Sequence, residues 1–212
     1  MHRTWSARCL AAIIALVAWV GLLWTFYDYS TSSGGLLGGF WQVTLYYTHW
    51  ATFLAAIIFT GIALNVKSLG RPRLIGNLLI ILAILTAMYW GARGISDFMA
   101  SPVRSKLIHG FLPPLVIVFW ILYVERLELT WKDPLIWTIF PLVYTLYGLL
   151  RGALTGEYPY DLGDVHKHGY RAVLLLIAVT GVGSLLLGYA IVAFDRQVLG
   201  KRKSTECSPL DG

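Results

Sequence analysis

Charge is what this sequence has least of. Of its 212 residues, 13% are Asp, Glu, Lys or Arg, against 57% that are hydrophobic. The shortage is local as well as general: residues 9–27, 29–66, 74–92, 107–124, 134–150 and 172–194 contain none of the four. Each stretch has 17 residues or more, and a helix crosses the hydrocarbon of a bilayer with about 20 mostly apolar residues. Backbone N–H and C=O groups in hydrocarbon must be satisfied within the chain, which makes each stretch a helix. Cysteine is nearly missing too: Cys9 and Cys207 form no disulfide framework and no zinc-finger spacing. A basic stripe with interleaved aromatics outside the apolar runs is also lacking, which excludes a nucleic-acid partner despite a net charge of +6.

These gaps predict an all-α protein, a polytopic six-transmembrane-helix bundle with both termini cytoplasmic. Its helices are expected at about 9–27, 41–66, 74–93, 106–124, 134–152 and 171–195. Residues 1–196 form one transmembrane domain, and 197–212 a basic, disordered cytoplasmic tail. The first run is too long for the apolar core of a signal peptide, and no small-x-small site closes it, so it reads as a retained helix. Orientation follows the basic residues. Arg3, Arg8, Lys67, Arg71, Arg73, Arg126, Lys132, Arg196, Lys201, Arg202 and Lys203 fall on the side of the termini, and Arg93, Arg104, Lys106, Arg151, Lys167 and Arg171 on the other. Trp24, Tyr27, Trp41, Trp90, Trp131 and Trp137 lie near run ends, as interfacial anchors do. The connector 28–40, with Ser30-Thr31-Ser32-Ser33-Gly34-Gly35, reads as a flexible outer loop. Asp133-Pro134 reads as a helix start.

The polar residues that remain at membrane depth gather towards the outer face. Thr44, Thr48 and Thr52 recur every four residues on one helical stripe, with His49 beside them. His109 lies a turn inside the fourth helix, just before Pro113-Pro114. Those prolines remove two amide donors and free the carbonyls of His109 and Gly110, which predicts a bend and a polar pocket there. Tyr144, Tyr147 and Arg151 follow i, i+3, i+7 spacing in the fifth helix, and the connector beyond adds Glu157, Asp161, Asp164, His166 and His168. A bland reading accompanies each: threonine back-bonding to the i−4 carbonyl, a snorkelling Arg151, solvated loop histidines at 166 and 168. A hydroxyl nucleophile needs a base; Thr48 and His109 share a depth, and neutral imidazole is a suitable base near pH 7. Arg151 or Tyr144 would steady an oxyanion. An outer vestibule for a small ligand or metal, lined by His49, His109, Asp161, Asp164, His166 and His168, is the alternative. A haem on His49 and His109 is a third.

The segment 140–170 resembles the Pr6Pr family of bacterial six-helix integral membrane proteins. The resemblance rests on Pro141-Leu142-Val143-Tyr144, Arg151-Gly152, Gly156-Glu157-Tyr158-Pro159-Tyr160, Asp164-Val165 and Gly169-Tyr170. It extends loosely over the first five spans through Tyr47-Thr48 and His109 with Pro113, and it departs at Ala51-Thr52 and Asp161-Leu162-Gly163. That family is distantly similar to the androgen-induced threonine hydrolases of fatty acid esters of hydroxy fatty acids. The resemblance implies Thr48 as nucleophile and His109 as general base, acting on a lipid-like (fatty acyl) ester. Arg151, Tyr144, Tyr158, Tyr160, Asp164 and His49 would support substrate or oxyanion. It implies no cofactor and no metal, and a multi-pass place in a bacterial cytoplasmic membrane with the lipid bilayer as partner.

Overall fold

A computed structural model describes residues 4–92 and 94–199. Within them the chain is all-helical, without strands: α1 Trp5–Ser32, α2 Leu36–Val43, α3 Tyr47–Ala63, α4 Pro72–Ala92, α5 Ile95–Ala100, α6 Val103–Tyr123, α7 Asp133–Thr155 and α8 Val165–Phe194. Five of these helices are long and apolar enough to cross a membrane, and the count becomes six if α2 and α3, bent by 96° at their junction, form one broken span. Most of the tail expected at 197–212 lies outside the described residues.

Small residues bring α1 and α3 together. Ala7, Ala11, Ala15 and Ala18 on one face meet Ala51, Ala55 and Ala56 on the other, all buried, because side chains this short let two backbones approach closely. Trp19 donates to the Thr60 hydroxyl across the same seam at 3.0 Å. The centre of the bundle is marked by Phe59 of α3 and Phe119 of α6, edge to face with ring centroids 5.0 Å apart. Gly21 of α1 lies against Ile108 of α6, and Gly76 of α4 against Trp137 of α7; an added Cβ would sit 2.7 Å and 2.6 Å from those side chains.

Two expectations are corrected. The flexible loop at 28–40 is mostly helix: Thr31 and Ser32 hydroxyls bond to the Asp28 carbonyl at 2.9 and 2.8 Å, which carries α1 through its polar run. The chain leaves that helix only where Gly34 and Gly35 take positive φ of 79° and 99°, a region open to glycine. Secondly, the helix expected over 41–66 is broken at 44–46, so Thr44 lies outside α3, and of the threonine stripe only Thr48 and Thr52 share it. Just before Pro113-Pro114, where a bend is expected, α6 is locally irregular: the amide of Leu112 bonds to the Leu107 carbonyl, an i−5 step, and residues Leu107–Phe111 form one π-turn.

At the end of the bundle carrying Arg126, that side chain pairs with Asp195 at 3.2 Å, and Asp195 has no exposure to solvent. The second Asp195 oxygen accepts the amide of Leu127 at 3.1 Å. This pair ties the last helix to the connector between α6 and α7. Sequence reading, which looked for polar groups at the opposite end, missed it.

Candidate functional site

The break between α2 and α3 frees backbone carbonyls that no helical turn satisfies, and side chains satisfy them, two from the start of α3 and two from α7. His49 Nδ1 lies 2.8 Å from the Val43 carbonyl, which requires the ring to carry its proton on that nitrogen. Trp50 donates to the Thr44 carbonyl at 2.8 Å. Tyr144 of α7 donates to the Leu45 carbonyl at 2.6 Å, and Arg151 to the Trp41 carbonyl at 2.8 Å. Three residues singled out from the sequence, His49, Tyr144 and Arg151, thus hold a broken span together. Such groups must be paired where water is scarce.

Arg151 is the centre of this end of the bundle. It is buried, and its guanidinium lies over the Trp41 ring, 3.9 Å from the centroid. It also donates to the Thr44 hydroxyl at 3.2 Å, the Tyr147 hydroxyl at 3.1 Å and Glu157 at 3.3 Å. Glu157 accepts from Trp41 Nε1 as well, at 3.1 Å. The sequence of the following connector explains how it gets there. Gly156 closes α7 in the left-handed conformation, φ 76°, turning the chain back so that Glu157 meets Arg151 and Tyr158 covers Gly152. Pro159 then lies on Gly148, where a Cβ would come within 2.8 Å. Each glycine of the 148–156 stretch therefore has a local reason.

The next residue, Tyr160, completes a cluster of hydroxyls. Its phenol lies against the Thr48 side chain, the backbone of Tyr47 and the Tyr144 side chain, and burial raises its pKa above the ordinary tyrosine range, making it a weaker acid. Thr48 is half-buried beside it, while Thr52 bonds back to the Thr48 carbonyl at 2.7 Å. The Tyr47 ring is buried between Phe140 and Tyr144, with centroids 5.8 and 5.0 Å away. A cavity opens beside this cluster, among Tyr47, Met88, Tyr144, Leu149, Tyr160 and Leu176.

His109 belongs to a different neighbourhood. Its ring stacks on Tyr89 of α4, centroids 3.9 Å apart and planes 14° from parallel. Phe98 of α5 closes over Gly110, and the Ser105 hydroxyl donates to Tyr89 at 3.4 Å. So the structure sets Thr48 against the connector after α7 and His109 against α4. Met88, one residue before the stacking partner of His109, is in the cavity wall that Tyr160 also lines. The polar pocket expected next to His109 is instead this aromatic seat.

The expected loop histidines, His166 and His168, are exposed and lie in a single helical turn, residues 165–168, which Gly169 (φ 74°) separates by a kink from the rest of α8. Asp164 caps that helix, its Oδ1 accepting the amides of His166 at 2.9 Å and Lys167 at 3.3 Å. Asp161 bridges Lys167 Nζ at 2.7 Å and His168 Nε2 at 2.8 Å. Glu157, Asp161, Asp164 and Lys167 also border an open polar recess. Among the described residues no three His, Cys, Asp or Glu side chains come together as a metal site.

The hydrogen bond from Lys167, then that from His168, holds the Asp161 carboxyl below the ordinary aspartate range. With a depressed value, the clasp is complete above the ordinary range and opens only as pH falls through the lowered one. Lys167→Met is therefore expected to raise the Asp161 midpoint towards the ordinary value. A carboxyl-carbon NMR titration checks this, and an unchanged midpoint would contradict the assigned bond.

Trp41, Tyr47 and Tyr89 were not identified from the sequence as site residues. Among nine tryptophans and twelve tyrosines they carry no distinguishing local signal, since what sets them apart is a contact with another helix. No described protein family, curated protein or solved structure matches the chain.

Proposed function

We propose that this chain is an intramembrane hydrolase of lipid-like (fatty acyl) esters, inserted with both termini cytoplasmic in a bacterial inner membrane. The site lies near the outer face. Thr48 is the nucleophile and His109 the general base, as the Pr6Pr resemblance implies. The observation that supports this reading is the hydroxyl cluster: Thr48 lies beside Tyr160, and Tyr160 forms part of the wall of a cavity with an apolar lining. An ester chain in that cavity would bring its carbonyl towards Tyr160 and the Thr48 hydroxyl beside it.

In the reaction, Thr48 Oγ bonds to the ester carbonyl carbon while His109 takes the hydroxyl proton. The alkoxide leaves with that proton, and water, activated in the same way, releases the acid and restores threonine. Arg151 shapes the mouth through Trp41 and the 156–160 connector. Purified protein incubated with a panel of lipid esters tests the proposal: hydrolysis by the wild type that is lost in Thr48→Ala and in His109→Ala supports it. Activity that survives both substitutions removes it.

The open recess bordered by Glu157, Asp161, Asp164 and Lys167 favours a second reading, a non-enzymatic vestibule for a small ligand or metal. Elemental analysis separates the two. Stoichiometric metal in the purified protein supports the vestibule, and a metal-free sample that turns over esters removes it.

A further inference from the structure

We infer that the cavity between α3, α4, α7 and α8 is a binding site for an uncharged single-chain amphiphile, whose alkyl chain lies on Met88, Leu149 and Leu176 and whose polar group bonds to the Tyr47 hydroxyl. The inference rests on the site proposed above for its place in the molecule, and it narrows the ligand class there.

Three observations carry it. The lining is almost wholly carbon, and no Asp, Glu, Lys, Arg or His contributes to it. A carboxylate or phosphate head would enter such a space without a counter-charge, at a large desolvation cost. The neighbouring cation, Arg151, is already held by Trp41, Thr44, Tyr147 and Glu157.

Secondly, of the wall's fully buried side-chain hydroxyls one, that of Tyr47, is left over. Tyr144 donates to Leu45, Thr145 bonds to the Pro141 carbonyl at 2.8 Å, and Tyr160 lies in the cluster with Thr48. The Tyr47 side chain is 2% exposed, and among the described residues its hydroxyl has no hydrogen-bond partner. A buried hydroxyl left unbonded is costly, and the cost is recovered when a ligand brings a carbonyl or hydroxyl oxygen. That buried hydroxyl calls for one polar group on the ligand.

Thirdly, Leu176 and Thr180 place α8 in the wall. Of the membrane-length helices, α8 is the one least covered by the rest of the chain. A ligand dissolved in the bilayer therefore reaches the cavity past α8 without crossing water.

The test is photo-crosslinking of the full chain in detergent at neutral pH with two matched probes, a diazirine-bearing hexadecanol and a diazirine-bearing palmitic acid. Neither is an ester, so turnover plays no part. The alcohol is expected to label the cavity peptides containing Met88, Leu149 or Leu176 about tenfold more efficiently than the acid. Tyr47→Phe, which keeps the ring and its packing, is expected to weaken that labelling about threefold to tenfold, the range of one hydrogen bond. Thr180→Trp, filling the cavity from the lipid side, should abolish it. Equal labelling by acid and alcohol overturns the inference, and so does labelling that neither substitution alters. Labelling as expected with no ester hydrolysed leaves this site standing and removes the catalytic proposal. Hydrolysis without labelling does the reverse.

Discussion

Arg126→Ala is expected to destabilise the fold by about 3–5 kcal/mol, the cost of leaving a buried carboxylate without its cation. Asp195 is fully buried, and its partners are the Arg126 guanidinium and the Leu127 amide. Arg126 also donates to the carbonyls of Trp120 and Ile121 at the end of α6, and its guanidinium lies 4.8 Å from the Trp120 ring centroid. Loss of the side chain removes all of these at once. For a chain of this length the effect corresponds to a fall in melting temperature of about 10 °C, followed by thermal denaturation in detergent. The double variant Arg126→Ala/Asp195→Asn is the decisive comparison. Removing the charge as well as its partner leaves no uncompensated ion, so much of the stability should return. If the double variant is as unstable as the two losses added together, the pair is not acting as a unit. Glu157→Gln offers a contrast at the other end. Its carboxylate is half exposed, so water compensates the change, and the loss should be about 1 kcal/mol or less.

The membrane helices were legible because their signal is a transfer energy summed over many residues, and six uncharged runs survive any error of a few positions. What was illegible has a common cause. Thr44-Leu45-Tyr46 contains neither glycine nor proline, so nothing local announces the break between α2 and α3. The break is stable because Tyr144 and Arg151, about a hundred positions away, satisfy its carbonyls. Conversely Pro113-Pro114 announce an irregularity, but that it takes the form of a π-turn at Leu107–Phe111 is not written in the prolines themselves. Depth along a helix was readable and adjacency was not. Thr48 and His109 share a depth in the sequence reading, whereas their neighbours in the structure are Tyr160 and Tyr89 respectively. The same limit hid the pairing of Arg126 with Asp195, whose partners are 69 positions apart.

The largest effect on activity is expected at Thr48. If its hydroxyl forms the covalent bond, Thr48→Ala removes the nucleophile and should lower kcat by on the order of 10⁴-fold, with KM little changed because the cavity is intact. Thr48→Ser keeps an attacking oxygen and should retain a measurable fraction. His109→Ala removes the proton acceptor, a loss of about 10²–10⁴-fold. His109 stacks on Tyr89, and as the proposed proton acceptor its part is distinguishable by pH: the low-pH limb of kcat/KM set by imidazole protonation should vanish in that variant. Groups that act in one step are not additive, so Thr48→Ala/His109→Ala should be scarcely slower than Thr48→Ala alone. Tyr160→Phe provides the last discrimination. Its phenol lies against Thr48 without being the base, since burial holds it protonated. The variant should lower kcat by about tenfold while leaving the pH profile in place, as expected of a group that only orients the nucleophile. A Thr48→Ala/Tyr160→Phe double variant that loses activity as the product of the two single losses would show the phenol working elsewhere than on the threonine.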